Sequence, residues 1–94
     1  MPGVVRQGDL CTGHPLAEPR PPIQYSTNVF CNGKPVVRAG DLWQLHGVPP
    51  HTGFVTEGAP NVFVNGRRLA RIGDAINCGS FCAQGSTDVF CGNG

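Results

Sequence analysis

NVFCNGKPVVRAGD, residues 28–41, recurs as NVFVNGRRLARIGD, residues 61–74, without an insertion or deletion. The two copies lie 33 residues apart, from position 28 to position 61. The second half of this unit also opens the chain as GVVRQGD, residues 3–9, and the first half closes it as DVFCGN, residues 88–93. A fixed repeat indicates a fold built from similar structural units. The two chain ends are therefore predicted to complete a third unit together.

Each unit has the pattern of a β-hairpin. A short run of β-branched and aromatic residues, as at positions 29–31, is followed by Asn-Gly and then by a second apolar run. Asn-Gly favours a two-residue type I′ turn, because both central residues need a positive φ. The Gly-Asp pair after the second run, as in Gly40-Asp41, predicts a sharp turn in which the carboxylate bonds the backbone.

An arginine precedes each of these Gly-Asp pairs by two positions, as Arg6, Arg38 and Arg71. Its constant spacing from the aspartate favours a brace, in which each arginine pairs with the aspartate of its own turn. The alternative is that these arginines face outward and contact a partner.

The predicted fold class is all-β, with short hairpins in a pseudo-threefold arrangement joined by irregular loops. Gly and Pro account for 14 and 9 of the 94 residues, and only 39% of residues are hydrophobic, which disfavours helices of ordinary length. Segments 15–25, 47–58 and 79–85 are rich in Gly, Pro and polar residues and are predicted to be loops. If the last strand returns beside the first, the ring closes and leaves no free sheet edge. We expect residues 1–94 to form a single domain.

The low charge of the chain limits its partners. Its formal net charge is +1 and 14% of its residues are charged, which provides no basic field for nucleic acid. A zinc ribbon that binds nucleic acid would also need paired C-x2-C motifs, which the sequence lacks. Residues 1–10 have no basic stretch followed by an apolar one, and no segment approaches the ~20 apolar residues of a membrane span. We expect synthesis in the cytosol and no nucleic-acid partner.

Histidine and cysteine recur at nearly one place in the three units. His14 and His46 are the fifth residues after Asp9 and Asp41, and Cys78 is the fourth after Asp74. In a pseudo-threefold fold these side chains can converge on one point, and His51 can supply a fourth ligand. Three imidazoles and one thiolate complete the tetrahedral set that Zn²⁺ takes in a closed structural site. The predicted metal site is therefore His14, His46, His51 and Cys78, holding one structural Zn²⁺.

A metal also suits the size and cysteine content of the chain. A protein this small needs a stabilising cross-link, and five cysteines in a reducing compartment favour a metal over disulfides. Cys11 aligns with Trp43 and Ile76, and Cys31 aligns with Val64 and Cys91. Because buried thiols behave as small apolar groups, Cys11, Cys31 and Cys91 are assigned to packing. Cys82 has no informative equivalent and remains the rival metal ligand.

The three Arg-x-Gly-Asp steps, the N-V-F-x-N-G hairpins and the ligand set resemble the PAAR-repeat family over essentially the whole chain. The tetrapeptide that names the family corresponds here to PVVR at 35–38 and RLAR at 68–71. The resemblance implies a pointed cone with zinc near its apex, held by His14, His46, His51 and Cys78. It also implies that the base of the cone sits on the blunt end of a trimeric β-helical spike, VgrG in type VI secretion or its equivalent in contractile phages.

On this resemblance the chain caps and sharpens the spike, with one tip chain per spike trimer, and pierces membranes only as part of that spike. Some family members add an effector domain, for which 94 residues leave no room, so we expect a bare tip that is not itself a toxin but can help to attach effector proteins. The implied location is the bacterial cytoplasm before firing and then the outside or the target cell, or else the tail tip of a phage virion.

Two other functions compete with this interpretation. A small zinc hydrolase would need an open coordination position and a nearby general base, whereas four protein ligands close the site and Asp9, Asp41 and Asp74 recur as turn formers. We therefore expect no enzymatic activity. A non-catalytic protein-interaction domain without metal is the second alternative, and the metal content of the protein distinguishes it.

Overall fold

The structure, a computed structural model, describes residues 2–13, 17–44, 47 and 51–91. Two predicted metal ligands, His14 and His46, and residues 92–93 of the C-terminal partial repeat lie outside these ranges. Within them the chain consists of short antiparallel strands, turns and isolated β-bridges, and it contains no helix. The all-β prediction is confirmed.

In the part of the chain that the structure describes, four strands form two antiparallel hairpins: β1 (Phe30–Cys31), β2 (Lys34–Pro35), β3 (Phe63–Val64) and β4 (Arg67–Arg68). Their registers are equivalent, because Phe30 faces Pro35 in the first hairpin and Phe63 faces Arg68 in the second. The Asn-Gly turns have φ values of 54° and 76° at residues 32–33 and of 54° and 80° at residues 65–66. Positive φ at both central residues confirms the predicted type I′ turns.

The third hairpin is assembled from the two ends of the chain. Gly3 pairs antiparallel with Phe90, at the position that Pro35 and Phe30 occupy in the first hairpin. The Val4 amide donates to the Val89 carbonyl at 3.1 Å beside this pair. The prediction that the ends complete a third unit is therefore confirmed.

A cyclic set of backbone contacts joins the three units. The bridges Val36 to Arg6, Leu69 to Arg38 and Val4 to Arg71 each connect one unit to its neighbour. One residue further on, the Val37 amide donates to Val5 at 2.9 Å, Ala70 to Val37 at 2.9 Å and Val5 to Ala70 at 3.1 Å. Each of these three residues donates to one neighbour and accepts from the other. The hydrogen bonds therefore form a closed ring around the pseudo-threefold axis.

The Arg-x-Gly-Asp turns have one geometry in all three units. The aspartate amide donates to the arginine carbonyl at 3.0 Å in each, and the glycines have φ values of 88°, 89° and 96°. The aspartate accepts hydrogen bonds from the backbone amide and the guanidinium of the arginine three positions earlier. Arg6, Arg38 and Arg71 therefore brace their turns, as the spacing predicted.

The buried residues form two separate clusters. The hairpin cluster consists of Val4, Cys31, Val36, Ala59, Val64, Leu69 and Cys91. The central cluster consists of Val5, Cys11, Val37, Trp43, Val55, Ala70, Ile76 and Cys82. Both alignments from the sequence are confirmed, because each set of equivalent residues lies within one cluster. Cys11, Cys31 and Cys91 are packing residues.

The segments predicted to be loops also take part in the ring. Their described parts contain no strand, but each takes part in bridges to the repeat units, among them Pro22 with Trp43, Val55 with Ile76, and Cys82 with Cys11. Cys82 is thus equivalent to Pro22 and Val55. The sequence repeat did not reveal this relation because the intervening segments differ in length, with 11 positions from Cys11 to Pro22 and 6 from Ile76 to Cys82.

Candidate functional site

Two features of the described residues are candidates for function, and no pocket opens among those residues. One is a set of exposed aromatic side chains on the hairpins, and the other is the region of the predicted metal ligands. The hairpin strands contribute to the hairpin cluster, whereas Cys78 packs against the central cluster. The two candidates therefore adjoin different clusters of the core.

Each hairpin unit presents one phenylalanine to solvent at the same position. Phe30, Phe63 and Phe90 are 58%, 58% and 47% exposed and are called the phenylalanine triad below. Each of them precedes a buried residue of the hairpin cluster, because successive side chains of a strand point to opposite sides. The same exposed aromatic residue in all three units gives the protein three equivalent apolar contact points, and aromatic residues are enriched at protein interfaces. The triad is thus a candidate docking surface with threefold symmetry.

Polar contacts at the hairpin turns hold this surface in place. Asn32 accepts a hydrogen bond from Arg6 at 3.0 Å and donates one to Asp88 at 3.0 Å. Asn65 likewise accepts from Arg38 at 3.1 Å and donates to Asn28 at 3.0 Å. Each of these two turns is therefore tied to a neighbouring unit, which holds the hairpins that carry Phe30 and Phe63 in place.

Ser86 completes the frame at the third unit. Its hydroxyl donates to Asp88 at 2.8 Å and accepts from the Val89 amide at 2.9 Å. The hydrogen bonds from Ser86 and Asn32 lower the pKa of Asp88. Ser26 plays the same part at the first unit, where it accepts from the Val29 amide at 3.0 Å.

One ion pair breaks the threefold pattern. Arg67, in β4, donates to Asp41 at 2.8 Å, so this fully buried carboxylate holds two arginines. The equivalent positions of the other units carry Lys34 and Pro2. Sequence reasoning missed this contact, because Arg67 lies outside the Arg-x-Gly-Asp step.

Two of the four predicted metal ligands, His51 and Cys78, lie in the described ranges. The His51 ring packs closely on Gly47, since a Cβ added there would lie 2.7 Å from the His51 Cε1 atom. Two residues after His51, a Cβ added to Gly53 would lie 3.1 Å from the Cys78 Cβ. The segment that carries His51 therefore runs against the turn that carries Cys78.

The complete ligand set remains a prediction. Among the described residues no three His, Cys, Asp or Glu side chains are grouped so as to hold a metal, and His14 and His46 lie outside those ranges. The predicted donors fit the metal chemically, because imidazole and thiolate are the ligands that Zn²⁺ takes in structural sites. Cys78 is half-buried at the edge of the central cluster, where a ligand can face a metal outside the core.

The rival ligand, Cys82, lies inside the core. It is 1% exposed and packs in the central cluster opposite Cys11. Burial raises the pKa of the Cys82 thiol, which disfavours the thiolate form that a metal needs. This placement favours Cys78 as the thiolate ligand.

The fold and the exposed triad together define a class of protein, namely a closed ring of three β-hairpin units that carries exposed apolar residues at threefold-related positions. The family described as PAAR motif matches residues 45–94, which is more than half of the chain. The chain therefore belongs to the PAAR-motif family, the structural tip proteins that associate with the spike of contractile injection systems. No curated protein matches the sequence. Within the described ranges, no helix has the length and hydropathy needed to cross a bilayer.

Proposed function

We propose that one copy of this protein caps one trimeric β-helical spike, VgrG or its phage equivalent, through the phenylalanine triad. The supporting observation is the closed ring, which places Phe30, Phe63 and Phe90 at equivalent positions around one axis. A spike trimer ends in three identical surfaces. A single chain with three equivalent surfaces can match all of them.

The proposed contact is mainly apolar. Phenylalanine is a large apolar side chain, and aromatic anchors carry much of the binding energy at protein interfaces. The net charge of +1 provides little electrostatic attraction. Binding is therefore expected to survive raised salt, which screens surface charges.

The metal has a mechanical role in this proposal. His14, His46, His51 and Cys78 would hold one Zn²⁺ and so tie together segments from all three units at the end away from the triad. Cross-linking by metal stabilises loops that a small core cannot hold. The tip would then present a stiff point to the target membrane and pierce it only as part of the spike.

A structural role agrees with the state of the buried carboxylates. Asp9, Asp41 and Asp74 are the buried acidic residues of the described ranges, and each is bonded to an arginine. A general base of a zinc hydrolase must be able to accept a proton from water, and carboxylates held in this way are poorly suited to that task. We propose that the protein is not an enzyme.

The same proposal covers location and cargo. The protein resides in the bacterial cytoplasm before firing, or in a phage tail tip, and it can carry effectors.

Mixing the tip with its cognate spike tests the docking proposal by native mass spectrometry, with an expected ratio of one tip chain to three spike chains. Replacing Phe30, Phe63 and Phe90 together by serine is expected to weaken binding by about 100-fold or more, since apolar anchors are lost at all three contacts. The fold should persist, because these side chains are exposed.

Phe54→Ser with Phe81→Ser is the matched control, because both side chains are exposed but flank the central cluster. This variant should bind like the parent protein. Another stoichiometry, no complex, or equal binding by the triad variant would contradict the proposal.

A further inference from the structure

Two buried cysteines lie side by side where the N-terminal and C-terminal segments of the chain pair. Cys11 and Cys82 are antiparallel bridge partners. The hydrogen bonds lie on either side of the pair, from the Thr12 amide to the Phe81 carbonyl at 2.8 Å and from the Ala83 amide to the Leu10 carbonyl at 3.1 Å. This pattern defines a non-hydrogen-bonded pair, whose Cα atoms lie about 4.5 Å apart.

That separation falls within the range of about 4.4–6.8 Å between the Cα atoms of a disulfide. The side chains also point to the same side, because both belong to the central cluster. Cys11 is 2% and Cys82 is 1% exposed, and both are thiols in this structure. The backbone thus places the two sulfur atoms where a covalent bond between them needs little movement.

The cysteine pair differs from the two equivalent bridges in the sequence separation of its residues. The equivalent bridges, Pro22 with Trp43 and Val55 with Ile76, each join residues 21 positions apart. Cys11 and Cys82 are 71 positions apart and join the two ends of the chain. We call this side of the ring, where the N-terminal and C-terminal segments pair, the seam. Cysteine occupies both positions only at the seam, where a cross-link closes the longest loop and restricts the unfolded chain most.

We propose that Cys11 and Cys82 are a disulfide site that is reduced where the protein is made and oxidised when it meets a disulfide-bearing oxidant. The inference goes beyond the proposed function and does not depend on it, since it requires only an oxidising environment. The reactant is a disulfide, either a small one such as oxidised glutathione or the active-site disulfide of a thiol oxidoreductase.

The exchange takes place in two steps. One cysteine, after losing its proton, attacks the reagent disulfide, forms a mixed disulfide and releases one reagent sulfur, which takes up a proton. The second cysteine then attacks the protein sulfur of the mixed disulfide and displaces the other reagent sulfur as a thiol. In balance, the Cys11–Cys82 bond forms, the reagent bond breaks, and two protons and two electrons pass to the reagent.

Burial makes this exchange slow in the folded protein. The Sγ atom of Cys11 accepts a hydrogen bond from the Arg20 amide at 3.3 Å, and burial raises the pKa of the Cys82 thiol. Attack requires an exposed thiolate, so the reaction waits for the seam to open. Once formed, the bond would be protected from reduction by the same burial.

Thiol counting with oxidised glutathione as the probe tests the site. The reduced protein is incubated with the probe, either folded or during refolding from denaturant, and its remaining thiols are alkylated after unfolding. Of the five cysteines, two should be lost to alkylation in the refolded sample, with a mass loss of two hydrogens and no bound glutathione. The melting temperature of the oxidised protein should rise by about 5 °C or more.

Two matched variants assign the bond. Cys82→Val and Cys31→Val each introduce the residue found at an equivalent position, Val55 and Val64 respectively. Cys31→Val should still form the cross-link, whereas Cys82→Val should form none and show no oxidant-dependent change in melting temperature. The proposal is overturned if all five thiols persist in the refolded sample, or if the cross-link survives Cys82→Val.

Discussion

Asp41→Ala is expected to lower the free energy of unfolding by about 3–5 kcal/mol, because breaking a buried ion pair leaves its partner charge uncompensated. Asp41 is fully buried and accepts hydrogen bonds from the Arg38 amide at 2.8 Å and from its guanidinium at 2.9 Å. Its loss leaves the mostly buried Arg38 guanidinium without a counter-charge. For a chain of this size, such a change corresponds to a drop in melting temperature of roughly 15–30 °C, measurable by circular dichroism.

Two further variants separate the effect of the repeated Arg–Asp ion pair from that of the second arginine, Arg67, which pairs with Asp41 alone. Asp9→Ala removes the equivalent carboxylate, which holds one arginine, and its effect is expected to be smaller than that of Asp41→Ala. Arg67→Ala removes the half-exposed partner of Asp41 and should cost at most about 1 kcal/mol. Equal effects of Asp9→Ala and Asp41→Ala would show that burial and the second arginine add nothing at Asp41.

Cys78→Ser and His46→Ala are each expected to strip or loosen the bound Zn²⁺ and to lower thermal stability sharply. A structural zinc site can contribute on the order of 10 kcal/mol of folding free energy, which is comparable to the whole stability of a small domain. Elemental analysis of protein purified without a metal-affinity tag measures the metal, with one Zn²⁺ per chain expected in the parent protein. Zinc that is absent or far below one per chain would refute the site.

Cys82→Val is the control for the thiolate ligand, since the equivalent Val55 already occupies such a position in the central cluster. It should retain zinc, and Cys31→Val and Cys91→Val should also be mild because valine fits the equivalent position of Val64. If Cys82→Val loses zinc while Cys78→Ser retains it, the ligand assignment is wrong.

The repeated parts of the fold could be predicted from the sequence because their chemistry is local. Asn-Gly at 32–33 and 65–66 requires a turn with two positive φ values, and no distant contact is needed to predict it. The Arg-x-Gly-Asp steps are equally local, since Arg38 and Asp41 are three positions apart. The closure of the ring followed from the split repeat alone.

Contacts between residues separated by segments of differing length or by a neighbouring unit could not be predicted in the same way. Cys82 is equivalent to Val55, but the segments before them have different lengths, since only their ends must meet the ring. The pair of Arg67 with Asp41 depends on the path of β4 past a neighbouring unit. The exposure of the phenylalanine triad depends on which side of each short strand faces the core, and a two-residue strand shows too little alternation to reveal it.

The pairing of Gly3 with Phe90 also bears on the order in which this protein folds. The first hairpin, at residues 30–35, closes over a few residues and can form early, whereas the third must wait until residue 90 has been synthesised. Contacts between distant positions slow folding, because the chain loses loop entropy before the contact stabilises it. Until the seam closes, Val37 and Ala70 lie in a ring that is open on one side, and its exposed strand edges are open to pairing with another chain. The chain is therefore open to pairing with another chain during the interval between the emergence of its first strand and that of its last strand.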